Sequence, residues 1–160
     1  MRIHIATDHA GLEFSTQLQH HLAECGHDVV DHGPLEYDPL DDYPVFVLRA
    51  AEALRDDLAA GTEARGIVLG GSGNGEQMAA NKVAGIRAAL CYDTELARLA
   101  REHNDAQVIS IGGRMQSVEV AIEMVGVFLT TEFTGEERHQ RRIDMVGAYE
   151  ADGTLPPLPQ

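Results

Sequence analysis

The chain is poor in basic residues, in cysteine and in long apolar runs. Lys and Arg number 12 against 26 Asp and Glu, a formal net charge of −14 over 160 residues. A field of that sign repels phosphate polymers, which argues against a nucleic-acid binder or an anionic-membrane binder. It leaves room for a small phosphorylated ligand held by a local basic cluster. No apolar run approaches the ~18 residues of a membrane span. Cys25 and Cys91 are the only two cysteines in a medium-sized chain. That count predicts a reduced, cytoplasmic setting rather than a disulfide framework. Met1 to His9 is broken by polar residues at once, so no signal peptide is expected. Internal repeats are absent, and no low-complexity segment precedes the last ten residues.

What is present is ordinary in bulk: 44% hydrophobic and 24% charged residues, enough for one domain with a sizeable core. Residues 2–7 read as a strand and 11–25 as a helix with Phe14, Leu18, Leu22 and Cys25 on one face. Gly26 ends that helix, and residues 27–31 form the second strand. Residues 32–43 are turn-rich, Pro44 opens a helix to Ala60, and 65–69 is the third strand. A short helix follows at 76–82, then strand 86–92, then a helix at 94–103 with Leu96, Leu99 and Ala100 inward. Strand 106–111 precedes two helices, 117–130 and 135–150. Val118, Val120, Ala121, Met124, Val125 and Phe128 suit either core packing or a second subunit. The expected organisation is one domain over 1–150 and a Pro-rich tail over 151–160 (ADGTLPPLPQ). Strands alternating with helices predict an α/β fold: a Rossmann-like, doubly wound, five-stranded parallel sheet in three layers, with C-terminal helices. Ligands of such sheets lie beyond the carboxyl ends of the strands. Asp8-His9, the run GGSGNGEQ (70–77) and Gly112-Gly113-Arg114 all fall there.

The glycine run is the strongest local signal. Gly70 and Gly75 keep the spacing of a P-loop, but Glu76 stands in place of its lysine. A dinucleotide fingerprint from Gly71 and Gly73 needs a third glycine where Glu76 stands, although Asp93 suits a ribose-binding acid. A ligand-free turn needs fewer than four glycines in six residues. The remaining reading joins the two features. Backbone N–H groups stabilise charge that develops during a reaction, and the adjacent carboxylate takes the proton whose loss creates it. An enediolate is such a charge.

Two other constellations stand out. Of eight histidines, His20, His21, His27 and His32 cluster near Cys25, yet without a metal-ligand motif they read as a solvated face. His9 and His103 each sit where an element ends near the presumed ligand edge, and histidine is the natural proton shuttle near neutral pH. Residues 138–142 hold three arginines. Arg138 and Arg142, four apart on a helix, either clamp a phosphate monoester or pair with Glu136, Glu137 or Asp144.

Together these residues resemble the type B ribose-5-phosphate isomerases, in the group that includes the galactose-6-phosphate isomerase subunits. The resemblance spans roughly 2–150 and rests on Asp8-His9-Ala10-Gly11, Asp42-Tyr43-Pro44, GSGNGEQMAANKVAGIRAAL (71–90), Arg101-Glu102-His103-Asn104, Gly112-Gly113-Arg114 and RHQRRID (138–144). It implies a homodimer or dimer of dimers, a site shared between subunits, a sugar-phosphate substrate, and no metal or cofactor. Many members carry a catalytic cysteine at the position of Gly70. This sequence instead is similar to an actinobacterial-looking branch with glutamate at Glu76. The implied catalytic residues are Glu76 as base, Ser72 as proton relay, and His103 with Asp8 for ring opening. Backbone amides across Gly71, Gly73, Asn74 and Gly75 hold the enediolate. Arg138, Arg142, His9 and Arg114 hold phosphate, while Tyr43 and Asn104 orient hydroxyls. A six-carbon 6-phosphate substrate, or a non-catalytic sugar-phosphate sensor, stays open at this point.

Overall fold

A computed structural model describes residues 1–158. Five strands form one sheet: β1 (Arg2–Ala6), β2 (Asp28–Asp31), β3 (Ala64–Gly70), β4 (Ala88–Leu90) and β5 (Val108–Gly112). All pair in parallel, in the order β2-β1-β3-β5-β4. The helices are α1 (Leu12–Glu24), α2 (Tyr43–Ala59), α3 (Asn74–Ala80), α4 (Thr94–Asn104), α5 (Val118–Thr130) and α6 (Glu137–Asp152). No helix among the described residues is long and apolar enough to cross a membrane.

Strand period two sorts the core into two slabs. Ile3, Ile5, Ile67, Leu69, Ile109 and Ile111 face α1, α4 and α5, meeting Leu18, Ala97, Met124 and Phe128. Ala6, Val68 and Val108 face α2 and α3, meeting Val47, Leu54 and Ala80. That is the three-layer, doubly wound architecture. The chain leaves β1 toward one sheet edge and returns through β3 toward the other. The switch point lies between β1 and β3, so Asp8-His9 and the glycine run flank the crevice this topology opens.

Some local expectations change. β4 is three residues long, because Ile86 closes a turn by donating its N–H to Val83. Its outer edge is covered by two side chains: Asn81 accepts from the Ala88 N–H and donates to the Ala88 carbonyl, both at 2.9 Å, and Gln77 donates to the same carbonyl at 3.1 Å. The Asn81 amide stands in for a missing neighbour strand. α1 ends at Glu24, leaving Cys25 exposed rather than on the inner face. α4 buries Ala97, Ala100 and Arg101, while Leu96 and Leu99 are only half-buried. In α5, Ala121, Met124, Val125 and Phe128 belong to the core. α6 runs to Asp152, into the expected tail, whose last two residues lie outside the described ones. Only His139 of α6 is buried.

Candidate active site

The carboxyl edge of the sheet is built from β1 and β3. Asp8, buried at the end of β1, accepts the Ala10 N–H at 2.9 Å and so caps a single 3-10 turn, His9–Gly11. After β3 the chain turns through Gly73 at φ +80°, where a Cβ would strike Leu90 and the Ile111 carbonyl carbon. Ser110 donates to the Gly73 carbonyl at 2.7 Å and pins the turn. Ser72 Oγ accepts from the Asn74 amide at 3.3 Å and from its side chain at 3.2 Å, so its own O–H is free to donate elsewhere. The amides of Ser72, Gly73 and Gly75 have no acceptor among the described residues.

Glu76 sits in the first turn of α3 and is 4% exposed. Its carboxylate folds back against Gly70. A Cβ at position 70 would lie 2.0 Å from Oε1 and 2.1 Å from the carboxyl carbon. Glu76 therefore fills the space in which a side chain at 70 would begin. Burial pushes its carboxyl above the ordinary range; its own backbone N–H opposes this, and the Asp8 charge adds to it. Tyr43 closes one wall, its ring 2.6 Å from where a Cβ at Gly75 would be. Arg114 lies over Gly71, 3.7 Å from that residue's missing Cβ, and its amide donates to the Gly71 carbonyl. A buried base, free amides and a free hydroxyl can remove a proton, hold the resulting charge and relay a second proton.

His103, Asn104, Arg138 and Arg142 are not at this edge. A helix after a parallel strand runs back, so α4 ends at the amino edge of the sheet. There Arg87, just before β4, donates to the Asn104 carbonyl at 2.8 Å. The expectation that His103 lies near the ligand edge of its own chain is thus corrected. The length of β5, about 13 Å at ~3.3 Å per residue, separates the two sets. His103 stacks on His139, centroids 4.1 Å apart and 12° from parallel. His139 is 3% exposed, and burial holds its imidazole below the usual range, helped by His103 and Arg138. Arg138 meets Glu136 at 2.8 Å, the pairing that competes with a phosphate clamp. Arg142 has no carboxylate within 4.0 Å among the described residues and lines a cavity of about 380 Å³ with Asn104 and Arg87.

Two residues near these sites, Asp41 and His139, carry little signal in the sequence. Asp41 Oδ1 lies 2.6 Å from His9 Nδ1 and also accepts the His9 N–H. Its signal was faint, one carboxylate among several in a turn-rich loop. Asp8, His9 and Asp41 bring potential metal-ligand atoms within 4.8 Å of one another. The His9–Asp41 separation is that of a hydrogen bond. His139 was visible only as part of a motif. Cys91 is buried, and burial pushes its thiol up to about 12, far from a reactive thiolate.

A doubly wound α/β protein with a buried carboxylate beside free loop amides is the class this fold and edge define. Residues 3–146 match the Ribose/Galactose Isomerase family. The chain belongs to that family. It is 50% identical over 159 residues to the ribose-5-phosphate isomerase B of Mycolicibacterium paratuberculosis, covering 99% of this chain and 98% of the relative. The Mycobacterium tuberculosis protein of the same name is 49% identical, over 99% and 96%. Among solved structures, ribose-5-phosphate isomerase B from Mycoplasma genitalium with bound ribulose-5-phosphate superposes with a TM-score of 0.88. It is 39% identical and covers 94% of this chain and 97% of that one.

Proposed function

We propose that the protein interconverts ribose 5-phosphate and ribulose 5-phosphate through an enediolate. The observation that carries this reading is the Glu76 carboxylate, buried against Gly70 beside amides with no other acceptor. A pure anion sensor gains nothing from a carboxylate there.

The furanose opens first. His103 and Asp8 give a proton to the ring oxygen and take one from the anomeric hydroxyl as the ring C–O bond breaks. Glu76 then takes the C2 proton. The C–H electron pair becomes the C1–C2 double bond, and the carbonyl pair moves to O1 beside the loop amides. Ser72 passes the O2 proton to O1, and Glu76 returns its proton to C1. Arg138, Arg142, His9 and Arg114 hold the phosphate; Tyr43 and Asn104 orient sugar hydroxyls. Placing Arg138 and Arg142 far from Glu76 keeps their charge from weakening the base.

The two residue sets lie at opposite sheet edges, so one chain cannot close around one small sugar. A homodimer or dimer of dimers, with His103, Asn104, Arg138 and Arg142 brought by a second copy, completes the site. Met145, Val146 and Tyr149 of α6, all exposed, support such a contact. Two free cysteines suit a cytoplasmic setting.

The test is turnover in deuterium oxide. The expected product is ribulose 5-phosphate deuterated at C1, with deuterium at C2 of recovered ribose 5-phosphate. Glu76→Gln should lower kcat by about 10³-fold with KM little changed. A wild type that shows no isomerisation and no exchange would overturn the function, and full turnover by Glu76→Gln would remove it as the base.

A further inference from the structure

We propose that Asp41 is a positioning residue for His9. It selects which ring nitrogen faces the ligand and supplies the negative charge that lets the ring donate from both. The inference rests on the reading above in one respect, that His9 contacts the substrate phosphate.

The geometry is specific. A single oxygen, Asp41 Oδ1, accepts twice from one residue: the His9 backbone N–H at 3.0 Å and ring Nδ1 at 2.6 Å. The first bond fixes the chain at the mouth of β1, and the second fixes the ring. The ring contact is at the short end for a nitrogen donor, as expected of a charge-assisted bond. Asp41 is held inward, its side chain 8% exposed, although Leu35, Tyr37 and Leu40 of the same loop are largely exposed. Its other oxygen, Oδ2, is buried without a partner among the described residues. A half-satisfied buried carboxylate is costly, and it persists where a cation answers it. The nearest group able to do so is the His9 ring.

With Nδ1 committed, Nε2 is the nitrogen left open. It has no partner among the described residues, and the His9 side chain is 24% exposed. Tyr37 stands edge-on to the ring, its centroid 6.1 Å away at 90°. A neutral ring protonated at Nδ1 presents a bare lone pair at Nε2, which repels phosphate oxygens. Asp41 compensates the second proton, so the ring donates to the ligand from Nε2 while keeping its bond to Oδ1. Buried Asp8 adds a second negative group within 4.8 Å. The partner that orients a histidine thus comes from the loop before α2, while the histidine comes from the turn after β1.

A merely structural Asp41 would pin the loop and act independently of His9. The test separates the two roles. KM for ribose 5-phosphate and the inhibition constant of inorganic phosphate are measured for wild type, Asp41→Asn, His9→Gln and the double variant, with thermal melts alongside. Asp41→Asn should raise both constants about tenfold, the scale of one charge-assisted hydrogen bond, and change kcat less than about twofold. The double variant should match His9→Gln alone, since Asp41 acts through His9. Additive effects, or unchanged constants in Asp41→Asn, would overturn the proposal. ¹⁵N spectra of histidine-labelled wild type need no variant to fold. Nδ1 should be protonated without ligand, and Nε2 should gain its proton on adding inorganic phosphate. A ring protonated only at Nε2 sinks the idea. Wild type that fails to turn over ribose 5-phosphate would remove the proposed function and leave the tautomer result standing.

Discussion

A Cβ is all that Gly70 lacks, and the Glu76 carboxylate uses the vacated space. The family resemblance puts a cysteine base at position 70. Here a carboxylate comes from six residues later and reaches the same place. Substitution at either position therefore disturbs the other. Gly70→Ala should drive the carboxylate out of place and lower kcat about 10²-fold or more, measured by steady-state turnover, while the fold melts near the wild-type temperature. Full activity in Gly70→Ala would mean that the carboxylate works from elsewhere. The pH dependence follows from the raised carboxyl of Glu76, caused first by burial and then by Asp8. The base acts when ionised, so kcat/KM should rise with pH through a value above the ordinary 4.5. Linkage has the opposite sign for stability. The folded state binds this proton more tightly than the unfolded one, so that contribution is present below pH 4.5 and lost as pH rises through the folded value. Glu76→Gln should then melt above wild type at pH 8 but lose that advantage near pH 4.

At the scale of elements, α4 shows why one residue of a motif can be structural and its neighbour chemical. Arg101 is 2% exposed. Its guanidinium donates to the Asp105 carboxylate at 2.7 Å, to the Ala106 carbonyl at 2.6 Å and to the Thr131 carbonyl at 3.3 Å. It also lies over the Phe128 ring, 5.8 Å from the centroid. These bonds tie the end of α4 to β5 and to the end of α5, and so fix where His103 stands. Arg101→Ala orphans two carbonyls and empties a packed site, at a cost of about 2–3 kcal/mol, with the ion pair discounted because Asp105 is partly exposed. Denaturant unfolding reads this loss; a change below about 0.5 kcal/mol would deny Arg101 that role.

The elements were legible because Ile, Val and Leu alternate in the strands and recur at helical spacing between them. Glu76 was legible because it breaks two phosphate-binding patterns at once. β4 was overextended, since nothing local announces that Asn81 will cap its edge. The edge at which His103 lies is not legible from its position along the chain, because the antiparallel return of a crossover helix decides the matter. Asp41 was invisible: Asp38 and Asp42 lie in the same loop, and only folding turns one of the three inward.

For the whole molecule, a chain of net charge −14 must gather its basic groups where it needs them. Arg138, Arg141 and Arg142 sit together on α6, a helix that buries only His139 in its own chain. α6 is thus a presenting element, with His139 stacked under His103 as the link between the basic face and the imidazole. In this account each site takes Glu76, Ser72, Asp8 and His9 from one copy and His103, Asn104, Arg138 and Arg142 from the other. The most direct measurement mixes two inactive variants, Glu76→Gln and His103→Asn, after reversible dissociation and reassociation. Half of the reassembled dimers pair the two variants, and one of the two sites in each carries both native groups. The account predicts recovery of about a quarter of wild-type turnover. A mixture no more active than its components would place every catalytic group within one chain and contradict the shared site.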